Sequence, residues 1–147
     1  MQFKEKFREG MKGTLSIKVV NKKGVEIDTF EWNNLITTNG YIAASECLAG
    51  SQYAYITNVS FGTDTTTPSV NDSSITNAVT VPITDITYPE AGTASFHFLV
   101  DWLDAVGMDI YEWGLITVDG RLFSRVTRDV ISKTEEMQLL GEWKIKM

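Results

Sequence analysis

Between residues 14 and 20 the chain reads TLSIKVV, with Leu15, Ile17 and Val19 alternating against Ser16 and Lys18, and after NKKG the alternation restarts in VEIDTF. Successive side chains of a strand point to opposite faces, so a period of two predicts strands, here joined as a β-hairpin. The run from about Gly40 to Ala49 has the Ala and Leu content of a short helix. Thr38 or Asn39 is placed to cap its start and Gly50 to end it in a left-handed cap. YITNVSF (55–61) is a further strand, and GTDTTTPSVNDSSITN (62–77) is dense in side chains that compete for backbone hydrogen bonds, which predicts a long exposed loop. AVTVPITDITY (78–88) alternates again, but Pro82 has no N–H to give to a ladder, which places the segment at a sheet edge or a bulge. Four more strands follow in TASFHFLVDWL (93–103), MDIYEWGLITV (108–118), RLFSRVTRDVI (121–131) and MQLLGEWKIKM (137–147). About eight strands at short spacing with one helix predict an all-β fold, an antiparallel β-sandwich or jelly roll.

A length of 147 residues suits one domain, expected over 13–147 behind an N-terminal arm over 1–12. Hydrophobic residues at 43% and aromatics at 11% are enough to build a core. The net charge of −6 gives no basic field to gather phosphates, which argues against nucleic acid as a partner. Apolar runs fall far short of a membrane span, and MQFKEKFREG lacks the apolar centre of a signal peptide, so cytoplasmic synthesis without a membrane is expected. One cysteine, Cys47, and one histidine, His97, can make neither an intrachain disulfide nor a standard zinc cluster; no metal and no cofactor are predicted.

EWGLITVDGRLFSRV (112–126) breaks an apolar run at Asp119-Gly120, a pair suited to the positive φ of both central positions of a type I′ turn. That turn pairs Val118 with Arg121, Ile116 with Phe123, Gly114 with Arg125 and Glu112 with Thr127 on one face. Trp113, Leu115, Leu122 and Val126 fall on the other. Both faces are substantially apolar, so the hairpin is expected to be covered on both sides, by the second sheet and by a neighbouring subunit or the helix. Gly114 leaves room for Arg125 to lie across the sheet toward Glu112, its diagonal neighbour. Glu112 and Arg125 then form a structural ion pair, because a cationic partner lowers a carboxylate's pKa where a general acid needs it raised.

His97 shares a strand face with Ser95 and Leu99, opposite Phe96 and Phe98, and no Gly-x-Ser-x-Gly elbow accompanies it; it reads as a hydrogen-bonded structural residue, and no catalytic residue is assigned. Cys47 reads as a small buried hydrophobe. Asp64, Asn71 and Asp72 offer oxygens to a calcium ion, but their spacing matches no EF-hand and reads as a solvated loop. Tyr53, Tyr55, Trp102 and Tyr111 have the ring faces that line sugar-binding grooves, although aromatics at strand positions usually fill a core. In the arm, Phe3, Phe7 and Met11 recur every four residues beside Lys4, Lys6, Arg8 and Lys12, an apolar stripe with a basic flank. A segment so short gains helical stability only by docking, and the expected dock is a neighbouring subunit or a larger partner.

Taken together, NNLITTNGYIAASECLAG, ITNVSFGTDTTTPSVNDSSI and EWGLITVDGRLFSRVTRDVISKTEEMQLLGEWKIKM resemble small virion proteins of tailed bacteriophages, of the tail-fibre, collar or head-decorating (capsid accessory) type. The resemblance covers about residues 30–147. It rests on Asn34, Gly40, Phe61, Gly62, Glu112, Gly114, Leu115, Gly120, Phe123, Arg125, Lys133 and Trp143; the basic, aromatic arm is not part of the pattern. It implies a non-enzymatic structural protein located in the virion, whose partners are other virion proteins and copies of itself, with a trimer among the arrangements. The alternative is a host-receptor or glycan-binding module. A depolymerase would need two carboxylates flanking a cleft, and no spacing here singles out a pair.

Overall fold

A computed structural model describes residues 10–147. Along β1 (Lys12–Asn21) the alternation turns Leu15, Ile17 and Val19 to one buried face, and β2 (Glu26–Ile36) pairs with it antiparallel, Trp32 opposite Leu15 and Phe30 opposite Ile17. The helix α1 (Thr38–Leu48) follows at once. Six more strands complete the chain: β3 (Ile56–Gly62), β4 (Val79–Thr87), β5 (Thr93–Val100), β6 (Asp109–Thr117), β7 (Leu122–Ser132) and β8 (Met137–Lys146). The fold is all-β and antiparallel, as the alternation predicts.

It is not a sandwich or a jelly roll. Strand β1 pairs with β2 on one side and with β8 on the other, from Lys12 opposite Lys146 to Asn21 opposite Met137, while β2 reaches β7 through Leu35 opposite Arg125 and Ile36 opposite Ser124. The order β1-β2-β7-β6-β3-β4-β5-β8 therefore closes into a barrel. Sandwiches and barrels bury alternate residues of antiparallel strands equally well, so a period of two cannot separate them; the pairing of the first strand with the last does. The interior of an eight-stranded barrel is just wide enough for side chains to fill. Here rings fill it, with Trp113 5.1 Å from Phe61 and 6.0 Å from Phe98, and with Phe98 lying where a Cβ on Gly141 would stand.

Local details differ from expectation where distant groups intervene. Thr37, rather than Thr38 or Asn39, caps α1: its hydroxyl accepts the Gly40 N–H at 3.0 Å and donates to the Leu122 carbonyl at 2.6 Å, so the same atom binds the helix to β7. Gly50 ends the helix at φ +88°, as expected. At Asp119-Gly120 only the glycine takes positive φ, and Thr117 N–H donates to the Arg121 carbonyl at 3.0 Å, so the loop has three residues and a glycine bulge in place of a type I′ turn. The ladder slips by one between Leu115 and Ile116, which sets Ile116 against Leu122 instead of Phe123, and Val118 bonds to the Tyr55 carbonyl instead of pairing with Arg121. Below the slip the expected register holds, Gly114 opposite Arg125 and Glu112 opposite Thr127. Pro82 lies between two strands, opposite Asn58, with a register slip just beyond it at Ile83 and Asp85; of its two expected settings, the bulge is the one formed.

Of the expected arm only Gly10, Met11 and Lys12 are among the described residues, and Lys12 already belongs to β1; Phe3 and Phe7 lie outside them. No helix of the described residues is long and apolar enough to cross a membrane.

Candidate functional site: a charged clasp on the barrel wall

Alternation along β6 and β7 turns Trp113 and Val126 into the barrel, so Glu112, Gly114 and Arg125 face outward. Outward charged groups normally meet water. These do not: Glu112 is 0% and Arg125 2% exposed. The cover is the segment 63–78, which leaves β3, crosses the outer face of β6 and β7 and returns to β4. Ile75 and Leu122 seat against Gly114, where a Cβ would meet Leu122 Cδ1 at 2.5 Å and crowd Ile75 at 3.0 Å.

The pair foreseen from the hairpin register forms, with Arg125 Nε 3.3 Å from Glu112 Oε1. The other carboxylate oxygen, Oε2, accepts the Asp64 N–H at 2.6 Å and the Thr76 N–H at 3.4 Å, so one side chain holds both ends of the loop. Arg125 holds its middle. Its Nη1 donates to Asp72 Oδ2 at 2.9 Å and to the Thr66 carbonyl at 3.2 Å, and its Nη2 lies 3.5 Å from Asp64 Oδ2. The loop tip also serves α1, since the Val70 carbonyl accepts the Thr38 N–H at 2.9 Å. Asp64 is held below the usual carboxylate range by the backbone N–H of Thr66, by the Thr66 hydroxyl and by Arg125.

The glutamate's oxygens face three donors and the arginine is surrounded by acceptors, so this buried pair is internally satisfied, while Asp64 and Asp72 at its edge stay partly exposed. Of the candidate calcium ligands by sequence, Asp64 turns both oxygens to Thr66 and Arg125, Asp72 turns Oδ2 to Arg125 and the Ser69 N–H, and Asn71 is exposed. No His, Cys, Asp and Glu cluster among the described residues has the geometry to hold a metal ion. Spacing alone does not point to the loop partners, because polar loop residues are satisfied equally well by water; Gly62, where a Cβ would strike the Thr76 carbonyl, marks the place where the loop returns past β3.

The remaining candidates do not converge. His97 lies on the outer face, its Nε2 2.9 Å from the Thr87 hydroxyl and 3.6 Å from Glu142. Tyr53 and Tyr55 are exposed beyond α1, whereas Trp102 lies at the opposite end of the barrel under Lys22, 4.4 Å from its ring centroid; the four aromatics form no common groove. Cys47 is exposed, contrary to the buried hydrophobe expected, because α1 buries its Gly40 and Ala43 against the barrel and leaves Cys47 beside an open groove.

A third buried charge lies at the end of the barrel away from α1. Lys133, 1% exposed, donates from Nζ to the Trp102 carbonyl at 3.0 Å and the Thr134 carbonyl at 2.8 Å, tying the 101–107 turn to the end of β7. Burial pulls its pKa below 10.5, opposed by Asp104 and Asp101. The native state thus binds fewer protons than the unfolded chain between the lowered value and 10.5, and stability should rise with pH across that window. Urea unfolding should show this rise in the wild type and not in Lys133→Met, which should also lose about 1–3 kcal/mol near neutral pH by leaving two carbonyls unpaired. Equal pH slopes in the two proteins would remove Lys133 from this role.

No family model, no curated protein and no solved structure matches the chain.

Proposed function

We propose that this domain is a non-enzymatic structural component of a tailed-phage virion, of the tail-fibre, collar or capsid-associated type, working through protein–protein contact. The observation that carries this reading is the clasp. The buried ionisable groups of the barrel wall hold a long polar loop in one conformation and have no face left for a substrate. Closure adds to it, because a barrel leaves little free strand edge to recruit chains at random and must associate through shaped surfaces. The resemblance of residues 30–147 to small virion proteins points the same way.

Mass spectrometry and immunogold labelling of purified particles should find the chain in the virion at fixed stoichiometry; finding it only in the soluble fraction of infected cells would overturn the proposal. Purified protein should also release no reducing ends from bacterial polysaccharides or peptidoglycan. Release that disappears in an Asp or Glu variant would make it an enzyme. The receptor or glycan-binding alternative draws on Tyr53 and Tyr55, which stand 70% and 51% exposed on one short connection, and saturable glycan-array binding lost in Tyr53→Ala would favour it.

A further inference from the structure

Strands β2 and β7 close the barrel through two residue pairs, Leu35 with Arg125 and Ile36 with Ser124, whereas β1 lies along β2 from Gly13 opposite Asn34 to Val20 opposite Glu26. Past this seam β2 and β7 part. Ile110 pairs with Ile131 and Glu112 with Thr127, so three residues of β7 stand against one of β6, a bulge that bends its strand where the ladder to β2 has given out. A cavity of about 200 Å³ opens at the fork, lined by Asn33 and Leu35 of β2, Val126 and Arg128 of β7, and Pro68 of the covering loop.

The main chain of β2 shows which groups face the fork. Thr37 N–H donates to the Phe123 carbonyl at 3.1 Å, and Leu35 pairs with Arg125. Main-chain direction alternates along a strand, so Asn33, Glu31 and Thr29 turn their N–H and C=O groups to that same side, away from β1. No strand among the described residues pairs with them there. Thr29 N–H donates instead to the carboxylate of its neighbour Asp28 at 2.8 Å. The side chains of Ile27, Thr29, Glu31 and Asn33 are exposed, so solvent reaches this edge. On the other face of the same stretch Phe30 packs against the core and lies 5.3 Å from Trp32 between ring centroids.

An unpaired strand edge is a template for another strand. Its charge selects which strand. Glu26, Asp28 and Glu31 lie on β2, and no Lys or Arg does. Two copies laid edge to edge would therefore set three carboxylates against three, and like charges facing across a ladder repel, whereas a strand bearing cations is attracted. We propose that the β2 edge from Thr29 to Asn33 takes up an extended segment of a partner protein with Lys or Arg at alternate positions. The cations lie beside Glu31, and the apolar side chains between them lie beside Phe30 and the fork. This holds whether or not the domain serves a virion.

A short blocked peptide of alternating Lys and Val is a direct probe, with alternating Glu and Val as its counterpart. In the free full-length protein the amides of Glu31 and Asn33 should exchange faster than those of Phe30 and Trp32, which face β1. The Lys/Val peptide should slow both saturably, and the Glu/Val peptide should not. Glu31→Lys should weaken binding about tenfold. Asn33→Pro removes an edge N–H without a ladder partner, so it should weaken binding while leaving the circular dichroism of the barrel unchanged. Glu31 and Asn33 amides that are already protected in dilute free protein, or that respond to neither peptide, would overturn the proposal. Protection that grows with protein concentration alone would overturn it in favour of pairing between copies. None of these results bears on the particle localisation that tests the virion reading.

Discussion

Arg125→Ala should lower the unfolding free energy by about 3–5 kcal/mol, which for a chain of this size is a fall of roughly 10 °C in Tm. The cost comes from what the substitution leaves behind. Glu112 stays fully buried without its cation, and Asp64, Asp72 and the Thr66 carbonyl lose the group they converge on. Glu112→Gln keeps an oxygen for the loop N–H groups and should cost less. Amide hydrogen exchange distinguishes a local from a global effect: Asp64 and Thr76 N–H should exchange faster in Arg125→Ala even where the barrel strands stay protected. The clasp should also weaken in acid. Asp64's folded pKa lies below its unfolded value, so its contribution is present above the ordinary carboxylate range and lost as pH falls through the lowered value. An Arg125→Ala protein with wild-type Tm and wild-type exchange at Asp64 would show that the loop is held by something else.

Trp113→Ala should cost a further and separate 3–5 kcal/mol, because it empties the barrel centre between Phe61 and Phe98 and a closed ring of strands has little freedom to collapse onto the gap. Trp113→Phe should cost much less. The indole N–H of Trp113 is buried without an acceptor, so the smaller ring loses packing but also removes an unsatisfied donor. Trp102→Ala, on a half-buried ring outside this core, should stay within about 1 kcal/mol, a value set by its Lys22 contact. Chemical denaturation of the three variants gives the order directly; a Trp113→Phe protein as unstable as Trp113→Ala would mean that the indole has a partner and that the core is held by polar contact as well as by volume.

What the residues determine by themselves lies within reach of a few neighbours along the chain. The alternation of Leu15, Ile17 and Val19 and the helix ended by Gly50 follow from local periodicity and capping, whereas Glu112 meets Thr127 and Gly114 meets Arg125 as expected only because the slip between Leu115 and Ile116 offsets the longer turn. The tertiary structure decided the rest, and each such decision joins residues far apart in sequence. Closure depends on Lys12 meeting Lys146, helix capping on Thr37 finding the Leu122 carbonyl, and the clasp on Asp64 and Asp72 turning to Arg125. Periodicity reports which face of a strand is buried but not what buries it. A polar side chain is equally satisfied by water or by a distant partner until the backbone of the whole barrel brings that partner within about 3 Å.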